Sequence, residues 1–216
     1  MMDYFAELQE ATQQEREVLL SIPFIQKGAS GELSLESYIA FLSQAYHHVK
    51  HTTPLLMACG SRLPGSKEWL RNAVAEYIEE ELGHQEWILN DIKACGGDAD
   101  KVRNEHPGIA ADVMVAYAYD IINRGNPVGF FGMVQVLEGT SIQVATQAAD
   151  ALREKLELPK QAFSYLYSHG ALDIEHVHYF ESLMNKIEDR KDKDDIIQCA
   201  KVMYKLYGDV FRDLPL

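Results

Sequence analysis

Six residues stand out by type and position: Glu81, His84, Glu138, His169, Asp173 and His176. Each is a carboxylate or an imidazole where the surrounding pattern calls for an apolar side chain. Over 66–95 one stripe reads Leu70, Val74, Tyr77, Glu81, His84 and Ile88, in steps of three and four. That spacing is the core face of a bundle helix. Glu79 and Glu80 fall off the line, so Glu81 is the inward member of the acidic run, with Glu80 as the alternative first carboxylate. A second stripe reads Phe163, Leu166, His169, Asp173, His176, Phe180, Leu183 and Ile187. At about 3.6 residues per turn, His169, Asp173 and His176 share one face, while Glu175 and His178 point elsewhere. Glu138 closes the segment 128–138, which is apolar nearly all round, the mark of a buried helix.

A lone carboxylate in such surroundings loses several kcal/mol of hydration and protonates unless it finds a strong partner. Three carboxylates and three imidazoles offer nitrogen and oxygen donors without thiolate, a set suited to iron or manganese and in part to zinc. Two carboxylate-x-x-His pairs, Glu81/His84 and Asp173/His176, with Glu138 and His169 as two further ligands, match the donor arrangement of di-iron bundles. Three negative charges balance most of the charge of two divalent ions. The alternative is a buried polar network without metal.

Such a site requires several helices that present one face each. The pattern predicts seven: about 3–20, 34–59 with a bend at Pro54, 66–95, 107–123, 127–156, 159–189 and 192–211. Ser34-Leu35-Glu36-Ser37 is a helix-opening pattern. Pro127 sits at a helix-opening position, and Gly96-Gly97 is a stop signal. Sustained strand alternation is missing from the sequence. The charge run 188–195 reads as a solvated turn. Gly129, Gly132 and Gly139 offer places where a neighbouring helix can approach closely.

The 216 residues, 47% hydrophobic, suffice for one sizeable core and suggest a single domain over 1–216. The net charge of -13 repels phosphate and argues against nucleic acid and anionic membranes as partners. No apolar run reaches the roughly 18 residues of a membrane helix, and the polar start lacks a secretory core. Three cysteines without a CxxC pair suit buried, reduced thiols and a cytoplasmic location. His47 and His51, four residues apart, read as pocket or surface histidines, and Tyr46 as a possible pocket wall.

The order Glu81-x-x-His84, Glu138, His169-x3-Asp173-x2-His176 resembles the haem-oxygenase-like di-iron oxidases and oxygenases within the TenA/PqqC-like superfamily. The resemblance covers most of the chain. It implies an all-α, seven-helix haem-oxygenase-like bundle in which all six residues ligate two iron ions. It also implies a non-haem, iron-dependent oxidoreductase that activates dioxygen to oxidise a small organic substrate, in a fold compatible with a homo-oligomer. Many members carry the first Glu seven residues before the His; here Tyr77 occupies that position, and the variant with Glu three residues before the His fits. No His precedes His47, which argues against haem ligation from the first helix. The mid-chain helix has no Cys, which argues against the TenA nucleophile. The alternative within the same fold is a metal-free TenA/PqqC-like enzyme or small-molecule binding protein.

Overall fold

The computed structural model describes residues 3–216, except for the side chains of Gln143 and of residues 169–176. The described residues are helical and include no strand. Twelve α-helices follow in order: α1 (Tyr4–Ala11), α2 (Gln13–Leu20), α3 (Pro23–Ala29), α4 (Leu35–Val49), α5 (Thr52–Arg62), α6 (Glu68–Glu81), α7 (His84–Ala94), α8 (Ala99–Asn104), α9 (Ile109–Arg124), α10 (Phe131–Leu156), α11 (Ser164–Met184) and α12 (Arg190–Arg212).

The seven expected segments are all present, but three of them are broken in two, and the short α3 and α8 are additional. The first breaks at Thr12, whose backbone leaves the helical region at φ -113. The second breaks at Lys50-His51, not at Pro54. Proline cannot donate to the carbonyl four residues back and its ring crowds that carbonyl. Residue 50 is that carbonyl, so the interruption falls one turn ahead of Pro54, which then sits in the first turn of α5. The third expected helix, 66–95, is interrupted at Leu82-Gly83. Leu82 is extended at ψ 118 and Gly83 is left-handed at φ 90, a conformation open to glycine at little cost.

Local signals explain the starts. The Ser34 hydroxyl accepts from the Ser37 N–H at 3.0 Å and caps α4. Asn126 accepts from the Val128 N–H at 3.1 Å, and Pro127 opens a short 3-10 turn that leads into α10. The run 188–195 is not a solvated turn throughout. Asp189 caps α12, which begins at Arg190, and Asp192 is buried against Lys67 at 2.5 Å and the Asn126 amide at 2.8 Å. A buried carboxylate requires such partners, and this one is invisible to a reading by charge density alone.

α10, the longest helix, packs between α11 and α12. Gly132 makes the α10–α12 approach possible: a Cβ there would lie 2.5 Å from the Ile196 carbonyl oxygen and 2.6 Å from the Ala200 nitrogen. Gly129 and Gly139 have ordinary clearance, so of the three glycines only Gly132 is demanded by packing. The core on both sides holds Tyr38, Leu42, Leu70, Ile88, Phe131, Phe163 and Phe180, each at most 1% exposed. Each such side chain contributes about 1.5–3 kcal/mol by leaving water. Cys59, Cys95 and Cys199 are buried and reduced.

α11 is tied at its start by α7. Asp91, buried at 0% exposure on α7, accepts from the backbone N–H of Ser164 at 3.1 Å and of Tyr165 at 2.9 Å, and from the Ser164 hydroxyl. One carboxylate thus satisfies the donors that open α11. Burial pushes the Asp91 carboxyl up, against the pull of these hydrogen bonds.

Candidate metal centre

The break in the third expected helix changes how Glu81 and His84 meet. They are not one turn apart on a continuous stripe. Glu81 ends α6 and His84 opens α7. The turn at Leu82-Gly83 brings Glu81 Oε2 to 3.0 Å from His84 Nδ1. Leu82, 61% exposed, is turned outward by the same bend. His84 is buried and stacks on Trp87 with ring centroids 4.0 Å apart, whereas Glu79 and Glu80 are exposed.

Glu138 reaches the same place from α10. It lines one pocket of about 740 Å³, mouth included, together with Glu81, Tyr77, His48 and Thr52. The Glu138 Oε2 and His84 Nδ1 atoms are both shut off from solvent. Tyr77 is 2% exposed. Burial raises its hydroxyl pKa well above the ordinary tyrosine value, and the charge of Glu138 adds to this, with smaller contributions from Tyr179, Glu80 and Glu81. Tyr77 therefore stands as a protonated phenol among carboxylates.

α11 carries positions 169, 173 and 176 through its middle, packed against α10 and α7. The side chains of His169, Asp173 and His176, and of Glu175, lie outside the described residues. Among the described residues no three His, Cys, Asp or Glu side chains close up as a metal-holding group. Glu81 meets His84, and Glu81 and Glu138 line one pocket; all three are donors of the kind iron accepts, and a cation held there would offset the cost of burying the carboxylates. The residues present fit iron in that sense. His178 lies on the surface, 77% exposed and 3.8 Å from Glu181.

His47 and His51 occupy another place. His47 is buried, its Nδ1 3.3 Å from the Lys50 ammonium, and His51 Nδ1 lies 3.5 Å from the Tyr119 hydroxyl. Neither lines the pocket of Glu138, and neither does Tyr46. The residue between them, His48, does. Its ring meets Tyr207 edge-on at 5.8 Å. His48 continues the inward stripe Tyr38, Leu42, Ala45 of α4, so the criterion that selected Glu81 and Glu138 also applies to it. Tyr77 gave no such signal, because a tyrosine on an apolar stripe reads as core.

The helix order and this pocket define a haem-oxygenase-like fold, and solved structures show it. A protein of unknown function with a heme oxygenase-like fold from Shewanella denitrificans OS217 superposes with a TM-score of 0.85 at 22% identity, over 99% of this chain and 92% of that one. A TenA homologue from P. horikoshii OT3 gives 0.80 at 14% identity, over 98% and 97%. A heme oxygenase from Leptospira interrogans gives 0.79 at 16% identity, over 99% and 100%. No curated protein matches the chain. A family model described as iron-containing redox enzyme matches residues 39–208, and the chain belongs to that family. Among the described residues no helix is long and apolar enough to cross a membrane.

Proposed function

We propose that this protein is a non-haem di-iron oxidase or oxygenase that activates dioxygen to oxidise a small organic substrate. Glu81, His84, Glu138, His169, Asp173 and His176 would hold the metal. The observation that carries the reading is the meeting of carboxylates from α6 and α10 in one largely apolar pocket, beside a buried imidazole from α7. Membership of the iron-containing redox family supports it.

Iron bound there would supply the redox equivalents for dioxygen chemistry. The chain does the rest. Glu81 and Glu138 provide charge that matches a cation, and His84, held by Glu81, presents its ring in a fixed orientation. Leu55, Leu56, Phe130 and Met133 line the same pocket and exclude water from it. Tyr77 keeps its proton, held there by burial and by the charge of Glu138. Asp91 fixes the start of the helix that carries the remaining three proposed ligands.

The test is anaerobic loading with ferrous iron, metal analysis, and then dioxygen uptake. The expected result is two irons per chain and measurable dioxygen consumption, with both lost in Glu138→Ala and in His176→Ala. Undiminished uptake in both variants overturns the assignment. Likeness to a TenA homologue at a TM-score of 0.80 favours one other reading, a metal-free enzyme or small-molecule binding protein of this fold. Near-zero bound metal after loading would select it.

A further inference from the structure

A second, apolar chamber of about 640 Å³, mouth included, adjoins the pocket of Glu81 and Glu138. Ser141, Tyr165 and Tyr207 line both, so the two spaces share one wall of two aromatic rings and a small hydroxyl. The chambers differ sharply in chemistry. The first has two carboxylates, His48 and Thr52 in its walls. The second has no charged side chain among its lining residues. Two of the hydroxyls that reach the second are committed elsewhere: Tyr38 donates to the Ala162 carbonyl at 2.8 Å and Thr140 to the Val136 carbonyl at 2.6 Å. Rings of Phe24, Phe41 and Phe211, with centroids 5.9–6.4 Å apart, brace its far side.

The two linings run on from one another along α10. Glu138, Ser141, Ala145, Ala148 and Leu152 follow one another at steps of three and four along α10, and each lines one chamber or both. From Glu138 to Leu152 the helix rises about 21 Å. A ligand filling both chambers is therefore long and narrow, polar or reactive at one end and hydrocarbon at the other. A compact ring system would fill one chamber without passing the tyrosine pair.

We propose that the substrate is an amphiphile with an unbranched hydrocarbon chain, its functional end beside Glu81 and Glu138 and its chain past Tyr165 and Tyr207 in the apolar chamber. This rests on the reading of the Glu81–Glu138 pocket as the reaction centre. Tyr165 and Tyr207 set how much chain passes, and Val144 and Ala148 set how much fits.

The experiment is a calorimetric titration of the full chain with hexan-1-ol, octan-1-ol and decan-1-ol, with metal content measured on the same samples. Affinity is expected to climb roughly fourfold per added methylene, the increment of burying a CH2 group. Ala148→Trp and Val144→Phe, which fill the apolar chamber, are expected to flatten that dependence while leaving metal content unchanged. Either variant suffices if the other does not fold. Equal affinities across the series, or the same chain-length dependence in wild type and variants, overturn the proposal. A chain-length dependence that the variants abolish, in protein that takes up no iron, would instead keep the chamber and remove the metal reading.

Discussion

Burial holds the His47 imidazole neutral. Its pKa falls from the ordinary 6.5 to about 4, chiefly by desolvation, with the charges of Lys50, His51 and His106 pushing the same way. The folded chain thus binds fewer protons at this site than the unfolded chain between those two values, so stability rises with pH across that window. It is fully present above about pH 6.5 and is lost as pH falls through about 4. His47→Phe should remove this component: the difference in urea midpoint between pH 7.5 and pH 5 shrinks relative to wild type. At the same scale, the sequence shows why some site residues are legible and others are not. Glu138 is legible because an ionisable group inside an all-round apolar segment has one explanation, burial with a partner. His48 carries the same mark on α4, but the neighbouring His47/His51 spacing competes with it, and only packing of α4 decides which imidazole faces the pocket. Tyr165 and Tyr207 leave no mark, since aromatics are equally at home in a core and in a cavity wall.

Among elements, helices and their faces were readable, whereas continuity was not. Periodicity survives an interruption, so Tyr77, Glu81, His84 and Ile88 read as one stripe although a left-handed Gly83 divides them between α6 and α7. Pro54 announced a break, and its steric reach of four residues displaced the break to Lys50-His51. The tie between α7 and α11 depends on Asp91, 73 residues before its partner Ser164, a separation no local pattern spans. Asp91→Ala strands two backbone donors and a hydroxyl, and should lower unfolding free energy by about 3 kcal/mol. Asp91→Asn, which keeps one carbonyl acceptor, should cost less; urea titration of both variants checks the order. The α10–α12 contact is equally specific. Gly132→Ala places a methyl against the α12 backbone and should destabilise by about 2 kcal/mol, read as a lower thermal midpoint.

For the whole molecule, contacts between distant parts of the chain tie α1 to the turn between α11 and α12 and to the start of α12. The Tyr4 hydroxyl donates to the Lys193 carbonyl at 2.8 Å, Arg190 pairs with Glu7 at 2.7 Å, and the Phe5 N–H donates to Asn185 at 2.9 Å. Lys67, just before α6, reaches Asp192 on α12, joining the first third of the chain to its last helix. Lys67→Ala leaves Asp192 buried with the Asn126 amide but no cation, and should cost about 2 kcal/mol in a urea titration, a loss between those of exposed and fully buried pairs. The bend at Leu82-Gly83 has an electrostatic consequence as well. Because α6 ends at Glu81 and α7 opens at His84, the negative end of one peptide dipole and the positive end of the next, each roughly half a charge, meet at this corner. The two backbone fields oppose each other there, so the bias of this corner toward a positive guest rests on the Glu81 carboxylate rather than on the helix ends.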